Sequence, residues 1–88
     1  MQGNVRVRAI RKGNASGPML RGLREGMGMS LKDAAARIGC DPSTLRRWER
    51  EGLTGRVRVG RVFSVCTVYH VSVDSLFAAA QQSTELDV

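Results

Sequence analysis

The chain has 88 residues, room for one compact core, since domains usually run to roughly 100 to 200 residues. Hydrophobic residues make up 42% and aromatics only 5%, so the expected core rests on Leu, Val, Ile, Met and Ala. The net charge of +6 attracts polyanions, nucleic acid and acidic membrane alike, but no apolar run approaches the ~20 residues of a membrane span and the basic start lacks a signal peptide's apolar stretch.

A soluble cytoplasmic protein is therefore expected. Twelve of the fourteen basic residues are Arg. Arginine pairs bidentately with phosphate and guanine, although a GC-rich genome produces the same bias without functional cause. Cys40 and Cys66 stand in no Cys-x-x-Cys spacing and away from the one histidine, His70, and read as reduced core residues with no metal site.

Residues 1–17 carry Arg6, Arg8, Arg11 and Lys12, three glycines and no helical apolar stripe. They read as a basic flexible arm outside the core: a disordered terminus, or an arm along a DNA groove. The alternation Val5, Arg6, Val7, Arg8 also suits a short strand. Pro18 then fits a first helical turn, and Met19, Leu20, Leu23 and Met27 recur at helical spacing, predicting a helix over 18–27. Ser30 with Asp33 three residues on resembles a capping box and opens a second helix over 31–38, stopped by Gly39. Asp41 caps a third over 42–50, with Pro42 at its first position and Leu45 and Trp48 facing inward.

From Arg56 the pattern is ambiguous. Val57 and Val59 alternate with arginines, as in a β-wing, while Val59, Val62, Val65, Cys66 and Tyr69 keep helical spacing. A fourth helix is expected from about Gly60 to Tyr69 and a fifth over 73–80, capped by Ser72. Residues 81–88 read as a frayed tail. The domain is thus expected over 18–80.

Two short helices joined by a tight glycine turn let the second enter the major groove while the first crosses the phosphate backbone. Ala35 supplies the small side chain where they touch, Gly39 the turn, and Leu45 with Trp48 the buried side of the second helix. On these residues, SLKDAAARIGCDPSTLRRWE resembles the helix-turn-helix of the Cro and phage-repressor (Xre) family, and YHVSVDSLF resembles that family's fourth-to-fifth helix junction. The similar stretches cover residues 19–77. The resemblance implies an all-α, five-helix Cro/repressor-like domain that binds double-stranded operator DNA, usually as a homodimer on inverted half-sites.

Carried onto this chain, the resemblance places Pro42, Ser43, Arg46 and Arg47 where base edges are read; arginine can pair two donors with guanine O6 and N7. Ser30, Lys32 and Thr44 fall where such domains touch phosphate, and Arg56 and Arg58 join them as backbone contacts. Glu49 is expected to pair with Arg21 or Arg24. Leu31 stands where the family commonly has a phosphate-contacting glutamine, and the segment from Glu49 to Val71 is slightly long and lacks the customary proline.

AAARIGCDPSTLRRWEREGL followed by VRVGR is also similar to winged-helix excisionases and to regulators related to mercury-resistance repressors, where a basic β-wing follows the recognition helix. Three functions follow: a phage or prophage repressor or Cro-like regulator, an excisionase-like DNA-bending factor, or an antitoxin with a toxin partner. An enzyme is not expected, for the sequence has no Ser, His and acid arrangement, no phosphate-cradling glycine loop and no metal-ligand cluster. No cofactor or small-molecule ligand is expected. Val71, Leu76 and Phe77 are the candidate dimer contact, with the monomer's own core as the alternative role.

Overall fold

The computed structural model describes residues 14–54 and 56–82. Five helices follow one another: α1 (Ser16–Gly26), α2 (Leu31–Ile38), α3 (Pro42–Glu51), α4 (Val59–Tyr69) and α5 (Val73–Ala80), with no strand among the described residues. The expected all-α, five-helix architecture is the one observed.

Side-chain caps set the starts of α2, α3 and α5. The hydroxyl of Ser30 accepts the Asp33 N–H at 3.0 Å and so opens α2. Asp41 opens α3 by accepting the Ser43 N–H at 2.9 Å, and Ser72 opens α5 by accepting the Ser75 N–H at 3.0 Å. Gly39 closes α2 at φ 92°, in the left-handed region that a side chain makes costly, and its N–H and that of Cys40 both return to the Ala35 carbonyl. His70 closes α4 in the same region, at φ 56°.

One side chain from almost every helix meets at the centre. Leu20 of α1, Leu45 of α3, Val65 of α4 and Leu76 of α5 are fully buried, and Ala34 and Ala35 bring the α2 backbone close. Burying each of the larger ones stabilises the fold by about 1.5–3 kcal/mol. Helix α3 packs on α1 and α2; α2 also meets α4, and α5 joins α4 to α1. The α1–α3 approach is close enough to need glycine: a Cβ on Gly17 would stand 2.6 Å from the Glu49 carbonyl oxygen.

Several expectations need correction. The folded body begins before residue 18, for Asn14, Ser16 and Gly17 are buried and α1 starts at Ser16. Pro18 is tolerated there because the first-turn N–H groups have no partner within the helix. Met27 lies beyond the end of α1 and is exposed rather than part of its buried stripe. Among the described residues no wing forms: the Val57 N–H turns back to the Thr54 carbonyl, and Arg58 is the N-cap of α4. Val62, Val65, Cys66 and Tyr69 are buried while Val59 is exposed, so the helical spacing prevailed because those four side chains had a core to enter.

Candidate nucleic-acid interface

The outward face of α3 follows from what its inward face must bury. Leu45 and Trp48 enter the core, and positions three and four apart share one side of a helix. Ser43, Arg46, Arg47 and Arg50 therefore line the opposite side, and all four are exposed. Arg50 is the member of this stripe that the sequence reading passed over, though its spacing from Arg46 and Arg47 carries the signal. It also makes a surface ion pair with Glu51 at 3.0 Å, a contact worth little in water.

The other acid in this half of the helix is turned inward. Arg24 of α1 donates from Nε to Glu49 Oε2 at 2.7 Å and from Nη2 to Oε1 at 3.0 Å. The expected Glu49 link is thus made by Arg24, while Arg21 pairs within its own helix with Glu25. The hydrogen-bonded Glu49 carboxylate holds the Arg24 guanidinium above its ordinary pKa against the opposing effect of burial. With Glu49 neutralised inside, the open face of α3 is a row of guanidinium groups.

Its leading end has the opposite character. Pro42 is half-buried at the first helical position and Thr44 is half-buried on the flank. Asp41 is exposed, and hydrogen bonds from the Ser43 hydroxyl and N–H hold its carboxyl below the usual range.

Ser30 and Lys32 are exposed at the start of α2, with Arg37 exposed in its last turn. Arg56 is exposed in the turn after α3 and Arg58 at the cap of α4. In the first turn of α4, Arg61 donates to the Gly39 carbonyl, so the start of α4 is held against the turn between α2 and α3. Arg61 was not singled out from the sequence, because its contact is to a backbone carbonyl 22 residues away. Arg6, Arg8, Arg11 and Lys12 lie outside the described residues.

The cysteines add no chemistry to this surface. Cys40 is half-buried in the turn and Cys66 is buried, and burial raises both thiol pKa values, away from the reactive thiolate. His70 is exposed. No single helix among the described residues is long and apolar enough to cross a membrane.

Two short helices meeting at a left-handed glycine, the second with one side buried and the other lined by arginine, form a helix-turn-helix DNA-binding domain. The chain belongs to the helix-turn-helix domain family, whose model matches residues 17–79. It is similar to the crystal structure of the clp gene regulator ClgR from C. glutamicum, with 28% identity and a TM-score of 0.64 over 84% of this chain and 94% of that one. The structure of FeII HppE also superposes, with a TM-score of 0.63 and 21% identity over 88% of this chain and 38% of that chain. That second likeness is one of fold. No curated protein sequence matches the chain.

Proposed function

We propose that this protein is a transcriptional regulator of the phage-repressor or Cro-like kind, which controls promoters by occupying operator DNA. The observation that carries this reading is the stripe Ser43, Arg46, Arg47 and Arg50 on the exposed side of α3, directly opposite Leu45 and Trp48. A helix so placed offers bidentate donors to guanine O6 and N7 in the major groove. Ser30, Lys32, Thr44, Arg56 and Arg58 then position the domain on phosphates without reading sequence.

The likeness to a clp gene regulator over nearly its whole length supports regulation of transcription. A bending factor of the winged-helix kind loses its support, because residues 56–58 form a turn leading into α4.

Two protomers bind one inverted repeat in this reading, with half-sites about 34 Å apart, because one short helix reads only a few base pairs. Leu76 is taken up by the protomer's own core and Val71 packs against that core, whereas Phe77 is 49% exposed. Phe77 is therefore the member of the expected contact set left for a second copy.

The test is footprinting of the protein on genomic DNA, followed by binding to the recovered site between 50 and 200 mM salt. A protected inverted repeat is expected, with about a thousandfold loss of affinity across that range for roughly six phosphate contacts. A footprint covering one half-site with one protomer would refute the dimer, and uniform affinity for all sequences would refute operator recognition.

A further inference from the structure

The hydrogen bonds at the start of α3 decide what its leading end can say to a base. Pro42 has no N–H. The Ser43 N–H is taken by Asp41 Oδ2 at 2.9 Å, and the Thr44 and Leu45 N–H groups are taken by the Asp41 carbonyl at 2.9 and 3.1 Å. A helix start that ordinarily offers free backbone donors has spent them here.

The Ser43 hydroxyl also donates to Asp41 Oδ2. A serine hydroxyl has one proton to give and two lone pairs to accept with, so once that proton is committed Ser43 turns only acceptors outward. Asp41 is a carboxylate and accepts only. Arg46 and Arg47, on the same exposed side one turn later, can only donate. The face is therefore ordered, with acceptors at its leading end and donors behind.

Resting on the proposed reading of operator DNA by α3, we infer that Ser43, held by Asp41, is a specificity residue that accepts a hydrogen bond from an exocyclic base amino group. That group is adenine N6 or cytosine N4, the donors that bases present in the major groove. Ser43 and Arg47 are four residues apart, about 6 Å along the helix, so the amino-bearing base and the guanine taken by Arg47 lie about two base pairs apart.

Ser43 thereby differs from a serine at an ordinary helix start. A freely rotating hydroxyl could donate to guanine or thymine as readily as accept from adenine or cytosine. Here the Asp41 carboxylate removes the first option.

The experiment is selection of sites from a random double-stranded DNA library by the full chain and by Ser43→Ala, which leaves residue 43's backbone N–H free to bond Asp41. At the base pair whose preference Ser43→Ala relaxes, the amino group is then deleted, with purine for adenine or 2-pyrimidinone for cytosine. Deletion should weaken the unaltered protein about fivefold, the worth of one neutral hydrogen bond, and leave Ser43→Ala unchanged. Deleting guanine N7 about two base pairs away should weaken both proteins alike.

If affinity instead depends on a base acceptor at the relaxed pair, Ser43 donates and the inference is overturned while operator reading stands. It is equally overturned if Ser43→Ala relaxes no pair. If selection enriches no sequence at all, the operator reading itself fails, and this inference with it.

Discussion

Arg24 and Glu49 form a two-pronged ion pair between the first helix and the recognition helix, with side chains only 12% and 7% exposed. A third donor of the same guanidinium, Nη1, reaches the Met29 carbonyl at 3.0 Å. One side chain thus ties α1, the α1–α2 loop and the later half of α3 together, setting how α3 lies on the body that presents it. Removing one partner of such a pair strands a charge in a poorly solvated place, which costs more than the pair contributes. Glu49→Ala is expected to destabilise the fold by about 3 kcal/mol, measured by denaturant unfolding. Arg24 and Glu49 both replaced by well-packed apolar residues should cost much less.

Tyr69 is buried, and its hydroxyl oxygen has no hydrogen-bond partner among the described residues. Burial, aided by the Glu49 charge, pushes its pKa up from 10 to about 12. In the unfolded chain the phenol ionises near its ordinary value of about 10, so the folded form binds the proton more tightly. Its contribution to stability is complete below pH ~10 and is lost as pH rises towards ~12. Tyr69→Phe should remove this alkaline loss and, with no orphaned hydroxyl, match or exceed the parent's stability at neutral pH by up to about 1 kcal/mol. Tyrosinate absorbance from the single tyrosine and unfolding midpoints across that range check both points.

Asn14 closes the far end of the recognition helix. Its amide donates to the Leu53 carbonyl at 2.9 Å, and the Leu53 N–H donates to the Ser16 hydroxyl at 2.7 Å. Both backbone polar groups of buried Leu53 are thus paired by side chains from the start of the described chain. Asn14→Ala should leave that carbonyl buried and unpaired and cost about 1–3 kcal/mol, read as a lower thermal midpoint. If Asn14→Ala leaves the midpoint where it was, the clasp is not what holds this corner.

Arg47 and Lys32 should separate base reading from phosphate contact. Arg47→Ala is expected to lose about 1–3 kcal/mol of discrimination at one base pair while general attraction to DNA persists. Lys32→Ala, at the start of α2, should weaken all sequences alike and lower the salt slope by about one. Competition binding at a single stated salt concentration makes the comparison, with circular dichroism confirming that both variants stay helical. An Arg47 variant that loses specific and nonspecific binding equally would place Arg47 on phosphate.

The helices themselves were legible because their signals are local. Ser30, Asp41 and Ser72 cap within three residues of themselves, and the spacing of Leu45 and Trp48 already implied that Ser43, Arg46 and Arg47 share the outer side of α3. The tertiary structure decided what depends on residues far apart in the chain. Val57, Arg58 and Val59 by themselves suit a wing better than a helix, and α4 starts at Val59 because Val62, Val65 and Tyr69 have a core to enter. Asn14 and Ser16 resembled an arm because their partner, Leu53, lies 37–39 residues away. Periodicity records which face of an element is apolar but not what will cover it, so the choice of Arg24 over Arg21 for Glu49, and of core over dimer contact for Leu76, came only when the helices packed.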